Sequence, residues 1–349
     1  MERLVCSGAL RYPEFRLVKA GAQLDVREYT VDLPWRPVAF TGSEDVERVL
    51  AEFEGGATIV LQGLHLRWPP LQRFCRALDR SFRHPVQANA YATPRRSQGL
   101  GVHHDTHDVF VLQVSGTKRW LVYEPVFELP LSHQRYSPEL GGPGPCVEDL
   151  TLRPGDTLYL PRGWLHEALT SESDSLHLTI GVNVYTWLDA FKAALEECAE
   201  ERAFRRGVPD EGASDDDLVA RLAARLSPDA VARRMRERFV RGRRPIRDGQ
   251  LTQLRGLEAL APETPVERRD TVIADLREEG DFVRLTFEGK EIVFPSFVRE
   301  ELEFALIASE PFRPLDVPGD LDNESRLVLV RRLVREGFLR LVPRSLDEA

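Results

Sequence analysis

Apolar positions recur at every second residue through most of 86–185, and at every third or fourth residue on either side of it. The first spacing is that of a strand with one buried face, the second that of an amphipathic helix. The period-two stretch predicts strands over 86–93, 103–105, 109–114, 119–123, 149–152, 157–160, 167–170 and 176–185. Ser115-Gly116-Thr117 and Pro154-Gly155-Asp156 punctuate it as tight turns. Short strands so punctuated predict a closed antiparallel double-sheet jelly roll whose interior is the place for a ligand. The stretch 125–145, with Gly141-Gly142-Pro143-Gly144-Pro145, is a long surface loop beside that interior, either a tolerated insertion or a lid.

Helical spacing appears first at 44–53, through Val46, Val49, Leu50 and Phe53, inside an entry segment of residues 1–56. A buried strand over 57–64 and a helix over 71–82 then lead into the barrel, which ends near residue 187. Residues 188–205, 216–226 and 229–241 predict three helices, the last opened by Ser227-Pro228. Their apolar stripe, with too small a core of its own, predicts a dimerisation bundle over 188–245; packing on the barrel is the plainer alternative. Beyond a linker at 262–265, residues 266–349 offer strands at 282–287 and 291–294, helices at 296–309 and 323–337, and a strand at 338–342. That order resembles a winged-helix module, with Asn323 as N-cap and Gly337 as C-terminal stop. Arg331, Arg332 and Arg335 read first as a solvated helix face and second as a phosphate contact.

The chain is 349 residues long, 42% apolar and 30% charged, with 47 basic against 56 acidic residues and a net charge of −9. That balance disfavours broad phosphate-backbone binding but leaves room for a local basic patch. Cys6, Cys75, Cys146 and Cys198 form no C-x-x-C pair and predict free thiols in a reducing compartment. No apolar run approaches membrane-spanning length, and Met1 to Arg11 has too short an apolar core for a secretory signal. The expectation is a cytoplasmic protein.

Within 101–105, His103 and Asp105 lie one residue apart, so on an extended strand both reach toward one point. Imidazole and carboxylate converging there are two of the three ligands in the 2-His-1-carboxylate triad of non-haem Fe(II). His166, just past the turn at Pro161-Arg162-Gly163, faces them if late strands pack opposite early ones. The plainer reading is that His103 and Asp105 hydrogen-bond near a turn. His104 lies on the opposite face and Asp108 is out of phase. His107 shares the ligand face but lies further along, and His177 reads as a hydrogen-bonding core histidine. His65, His84 and His133 lack partners at metal spacing.

Several motifs then converge. They are Asn89-Ala-Tyr91-Ala-Thr93-Pro94, Ser97-Gln98-Gly99, His103-x-Asp105, Phe110-Val-Leu-Gln113, Gly116-x-Lys118-Arg119-Trp120, Pro161-Arg162-Gly163-x-x-His166 and Ser175-Leu-His177-Leu-Thr179. Together they resemble the JmjC 2-oxoglutarate oxygenases of the cupin superfamily, in particular the ribosomal oxygenase group. The resemblance implies a double-stranded β-helix over 57–187, a homodimer formed through the helices, and a winged helix at the C-terminal end. It implies Fe(II), 2-oxoglutarate and O₂ as cofactor and cosubstrates, with His103, Asp105 and His166 as metal ligands. Lys118 matches the basic residue that pairs with the distal carboxylate of 2-oxoglutarate, and Asn89, Tyr91 and Thr179 match the pocket lining. Val102 stands where proline is usual in the family, and His107 where an aliphatic residue is usual.

The implied reaction releases succinate and CO₂ and places one oxygen atom in a C–H bond of a protein side chain. The resemblance points to His or Arg of a ribosomal protein. The same chemistry on an N-methyl lysine would be demethylation, and a small-molecule hydroxylase is a further alternative. A different class is a regulator in which the barrel senses a ligand and the winged helix binds DNA; a complete triad plus Lys118 favours the enzyme.

Overall fold

Alternating segments build the first of two units, Met1–Val184 and Tyr185–Ala349, in a computed structural model that describes residues 1–34, 38–208 and 216–342. Its elements in chain order are α1 (Glu2–Val5), β1 (Phe15–Lys19), β2 (Ala22–Gln23), β3 (Thr30–Leu33), β4 (Phe40–Glu44), α2 (Val46–Glu54), β5 (Thr58–Leu61) and α3 (Pro69–Phe82). Then follow β6 (Val86–Thr93), β7 (Asp108–Ser115), β8 (Lys118–Tyr123), β9 (Cys146–Leu152), β10 (Thr157–Leu160), β11 (Leu165–Leu169) and β12 (Ser175–Val182). A large sheet has the order β10-β7-β12-β6-β5-β1-β2, and a smaller one the order β11-β8-β9. The paired strands are antiparallel. This is a mixed α/β chain with a sheet-rich, cupin-like core.

The pleat decides what the core receives. In β8, Lys118, Trp120 and Val122 are buried while Arg119 stands outside in an ion pair with Asp149 on β9. Val109, Val111, Trp120, Val122, Leu152 and Leu160 close the apolar interior at that end. The β7–β8 turn depends on Gly116, whose φ is +64° and whose added Cβ would come within 1.7 Å of the Asp174 carbonyl oxygen.

Two expectations need correction. Residues 103–105 are not a strand: regular pairing begins at Asp108, and His103 makes only an isolated bridge. The entry segment contains β1, whose Phe15, Leu17 and Val18 are fully buried in the large sheet. Five residues between loops are too short for a reliable period.

The second unit comprises α4 (Trp187–Cys198), α5 (Asp216–Arg225), α6 (Pro228–Arg241), α7 (Gln250–Gly256), β13 (Val266–Arg268), β14 (Ala274–Glu279), β15 (Phe282–Phe287), β16 (Lys290–Pro295), α8 (Arg299–Ile307), α9 (Asn323–Glu336) and β17 (Leu339–Leu341). The helix expected to reach residue 205 stops at Cys198, with a 3₁₀ turn over Arg202–Arg205. α9 is capped by Asp322, not Asn323: its carboxylate accepts from the Ser325 N–H, and Gly337 ends the helix at φ +82°. Strand β14 escaped the periodicity because four of its six residues, Asp275, Arg277, Glu278 and Glu279, are charged and none is fully buried, so only Ala274 and Leu276 carry an alternation. Among the described residues, no helix is long and apolar enough to cross a membrane.

Candidate metal centre

His103, Asp105 and His166 each bring one ligand atom into a cluster whose members all lie within 4.8 Å of one another. Backbone pairing achieves this. The His103 N–H donates to the His166 carbonyl (3.1 Å), and the His166 N–H donates back (2.8 Å). The Gly163 N–H donates to the Asp105 carbonyl (3.0 Å), so both sides of the cluster are fastened to the same turn. The convergence therefore comes from an irregular segment clamped to β11, and not from the shared face of one strand.

The rings are oriented from behind. His103 Nδ1 donates to the Gly101 carbonyl at 2.7 Å and His166 Nδ1 to the Trp164 carbonyl at 3.0 Å. Each Nδ1 is thus the protonated nitrogen, which leaves both Nε2 lone pairs for a metal. Burial and neighbouring His103 push His166 down to about 4, so its imidazole is neutral near pH 7. Burial works against ionisation of Asp105, yet His166 and His103 outweigh it and hold the carboxyl below its usual range. A neutral His166 imidazole and an ionised Asp105 carboxylate are in the protonation states that a divalent metal requires.

A hollow opens from this cluster between the two sheets, with an empty volume of about 530 Å³ when the solvent at its mouth is counted. Lys118 lies on its wall, only 4% exposed. Its Nζ donates to the Thr93 hydroxyl at 2.9 Å, and no carboxylate pairs with it among the described residues. Burial pushes it down to about 7. Glu167, also on the wall, is held by Tyr123 (2.8 Å) and Gln98 (2.7 Å). Trp120 Nε1 and His177 Nδ1, both buried in the same lining, find no hydrogen-bond partner among the described residues. A buried cation and unused polar atoms facing a hollow fit an anionic ligand, because unmet buried polarity costs free energy until something meets it.

The other expected residues are placed as follows. Tyr91 and Thr179 line the hollow, and burial pushes the Tyr91 hydroxyl up. Asn89 stands one step back, its Oδ1 accepting from the Gly63 N–H at 2.9 Å. His104 points away and reaches the Gln134 carbonyl at 3.2 Å, with Tyr136 edge-on to its ring. The 125–145 loop is tied down there and contributes no lining residue. His107 lies over Gly181 beside Gln87, where a Cβ would collide with its ring at 2.4 Å. His177 is in the lining, stacked on Tyr91 with centroids 4.8 Å apart. Thr93 and Trp120 had no assigned role, although i, i+2 spacing marks both: Thr93 follows Tyr91 on β6 and Trp120 follows Lys118 on β8.

Residues 64–190 match the family model described as JmjC domain. The chain is similar to "Bifunctional lysine-specific demethylase and histidyl-hydroxylase NO66" of Drosophila persimilis, 42% identical over 135 residues, 38% of this chain and 19% of that protein. It is similar to "Ribosomal oxygenase 1" of Rattus norvegicus, 32% identical over 269 residues, 66% of this chain and 43% of that protein. The chain spans less than half the length of these curated relatives. Escherichia coli ycfD has a similar fold over 98% of this chain and 90% of its own, with a TM-score of 0.57 at 17% identity. A further structure of that protein, a ribosomal oxygenase in complex with cobalt and 2-oxoglutarate, aligns with a TM-score of 0.52 at 17% identity.

Proposed function

From the premise that this chain carries a JmjC domain, we propose that it is an Fe(II)- and 2-oxoglutarate-dependent oxygenase that hydroxylates a protein side chain. The observation that carries the reading is one hollow with the three-donor cluster His103, Asp105 and His166 on its wall and the counter-ion-free Lys118 as well. His103 Nε2, His166 Nε2 and an Asp105 oxygen would hold the metal; Lys118 and the Thr93 hydroxyl would hold the distal carboxylate of 2-oxoglutarate. An arriving carboxylate keeps the Lys118 ammonium charged and offsets part of its desolvation. Tyr91, Thr179, Trp120 and His177 orient the bound molecule and exclude water. Iron with 2-oxoglutarate and O₂ supplies the oxidative chemistry, giving succinate, CO₂ and one oxygen atom inserted into a C–H bond.

The substrate reading is a histidine or arginine of a ribosomal protein, supported by relatives named ribosomal oxygenase and histidyl-hydroxylase. Lysine demethylation is the second reading, because the NO66 name includes it. A homodimer formed through α4 fits the stripe of Trp187, Leu188, Phe191 and Leu195, which stays exposed while Ala190, Ala193 and Ala194 are buried. We read the end of the chain as a winged helix, supported by α9 ending at Gly337 and β17 pairing with β13. Four free cysteines fit a reducing, cytoplasmic setting. The test is incubation of the iron-loaded protein with ribosomes and 2-oxoglutarate, followed by mass spectrometry of the ribosomal proteins. A histidine or arginine heavier by one oxygen atom is expected. Loss of methyl groups in its place would favour the second reading, and no change would remove both.

A further inference from the structure

Helix α6 and the turn after it carry charge that the hollow does not use. From Arg233 to Arg247 there are eight arginines and one carboxylate, Glu237. The local balance is 8 − 1 = +7, in a chain whose net charge is −9. Part of this is scaffolding: Arg234 grips Glu197 with two bonds (2.7 and 2.6 Å), Arg243 bonds to the Phe239 carbonyl, and Arg247 pairs with Glu288. Arg233 and Arg236 are different. They are exposed, three residues apart on one flank of the helix, and neither makes a hydrogen bond or ion pair among the described residues. Arg241, also exposed, is only half of a pair with Glu291. Arg277 on β14 lies close enough that, after burial, Arg233 and Arg236 are what push its guanidinium down. Arg277 itself is answered by Glu237 and Asp275, so the charge left without an ion pair on this flank, among the described residues, is that of Arg233 and Arg236.

We propose that this flank of α6, centred on Arg233 and Arg236, docks the phosphate backbone of RNA. Guanidinium groups match phosphate in a two-pronged geometry, and Arg233 to Arg241 spans about 12 Å of helix axis at about 1.5 Å per residue. A lipid surface fits less well, since no large hydrophobic side chain from 228 to 247 is exposed to insert among acyl chains. The choice of RNA over DNA rests on the proposed ribosomal partner, where RNA lies beside the protein substrate; the charge argument does not need that reading.

The test is fluorescence anisotropy of the full chain with a labelled single-stranded RNA, an equal-length DNA duplex and anionic phosphatidylserine vesicles, repeated over a range of salt. Arg233→Ala/Arg236→Ala should weaken RNA binding about tenfold and flatten the log–log salt slope by about 1.4, two phosphates at about 0.7 each. Arg233→Glu/Arg236→Glu should abolish it, with an unchanged thermal melt and unchanged 2-oxoglutarate binding. No RNA binding by the wild type, equal binding by the variants, or tighter binding to the DNA duplex or vesicles would each overturn the proposal. RNA binding without oxygen insertion on ribosomes would reject the oxygenase reading and leave this one standing.

Discussion

Lys118 and Arg234 are both buried cations, and their surroundings differ in one respect. Arg234, in the second unit, is met by the Glu197 carboxylate at 2.6–2.7 Å. Lys118, in the first, has among the described residues only a neutral hydroxyl, and its wall holds further polar atoms unmet by them at Trp120 and His177. A paired buried charge is part of the scaffold. An unpaired one beside a hollow is stored binding capacity, tolerated because a ligand completes it. Among the described residues no carboxylate answers Lys118, which leaves that place open to the carboxylate of a ligand.

Substitutions should separate the two kinds of charge. The largest effect is expected for His166→Ala, which removes one donor of the proposed metal centre: succinate formation, measured with Fe(II), 2-oxoglutarate and O₂, should fall by at least about 100-fold, beyond what loss of a supporting hydrogen bond costs. Lys118→Ala should come next. Removing one partner of a buried charge pair costs about 2–5 kcal/mol, so the Kd for 2-oxoglutarate should rise by roughly 30-fold or more, while metal binding, followed by equilibrium dialysis, changes little.

A smaller effect comes from pH. Lys118 sits at about 7 in the free protein, and a bound carboxylate raises it, so binding takes up a proton above that pH. Affinity for 2-oxoglutarate should therefore be flat below pH 7 and fall as pH rises from 7 to 9, by no more than about tenfold per unit. Lys118→Ala should lose this dependence. Smallest is Arg234→Met: because Glu197 is about half exposed, its loss should cost on the order of 1 kcal/mol in a denaturant melt and leave 2-oxoglutarate affinity unchanged.

Much of the site was legible because strands write their inward face into the sequence at every second position. Lys118, His166, Tyr91 and Thr179 were found that way or through the motifs around them, and the same rule, pressed further, marks Thr93 and Trp120. What spacing could not convey was how His103 and Asp105 converge, because they occupy an irregular segment whose geometry is set by two hydrogen bonds to His166 and one to Gly163, all far away in sequence. The burial of β1 was hidden for the same reason: Val18 reaches the lining only once β1 pairs with β5. Charge pairing was illegible throughout. Nothing along the chain tells that Arg234 bonds to Glu197 while Arg233, its neighbour, makes no ion pair among the described residues.

The most direct test is calorimetric titration of 2-oxoglutarate, under exclusion of O₂, into the Fe(II)-loaded wild type, Lys118→Ala and His166→Ala. One equivalent should bind the wild type; Lys118→Ala should retain the metal and lose most of the affinity, and His166→Ala should lose the metal and the binding with it. Equal affinity in all three would contradict a ligand held between the metal cluster and Lys118.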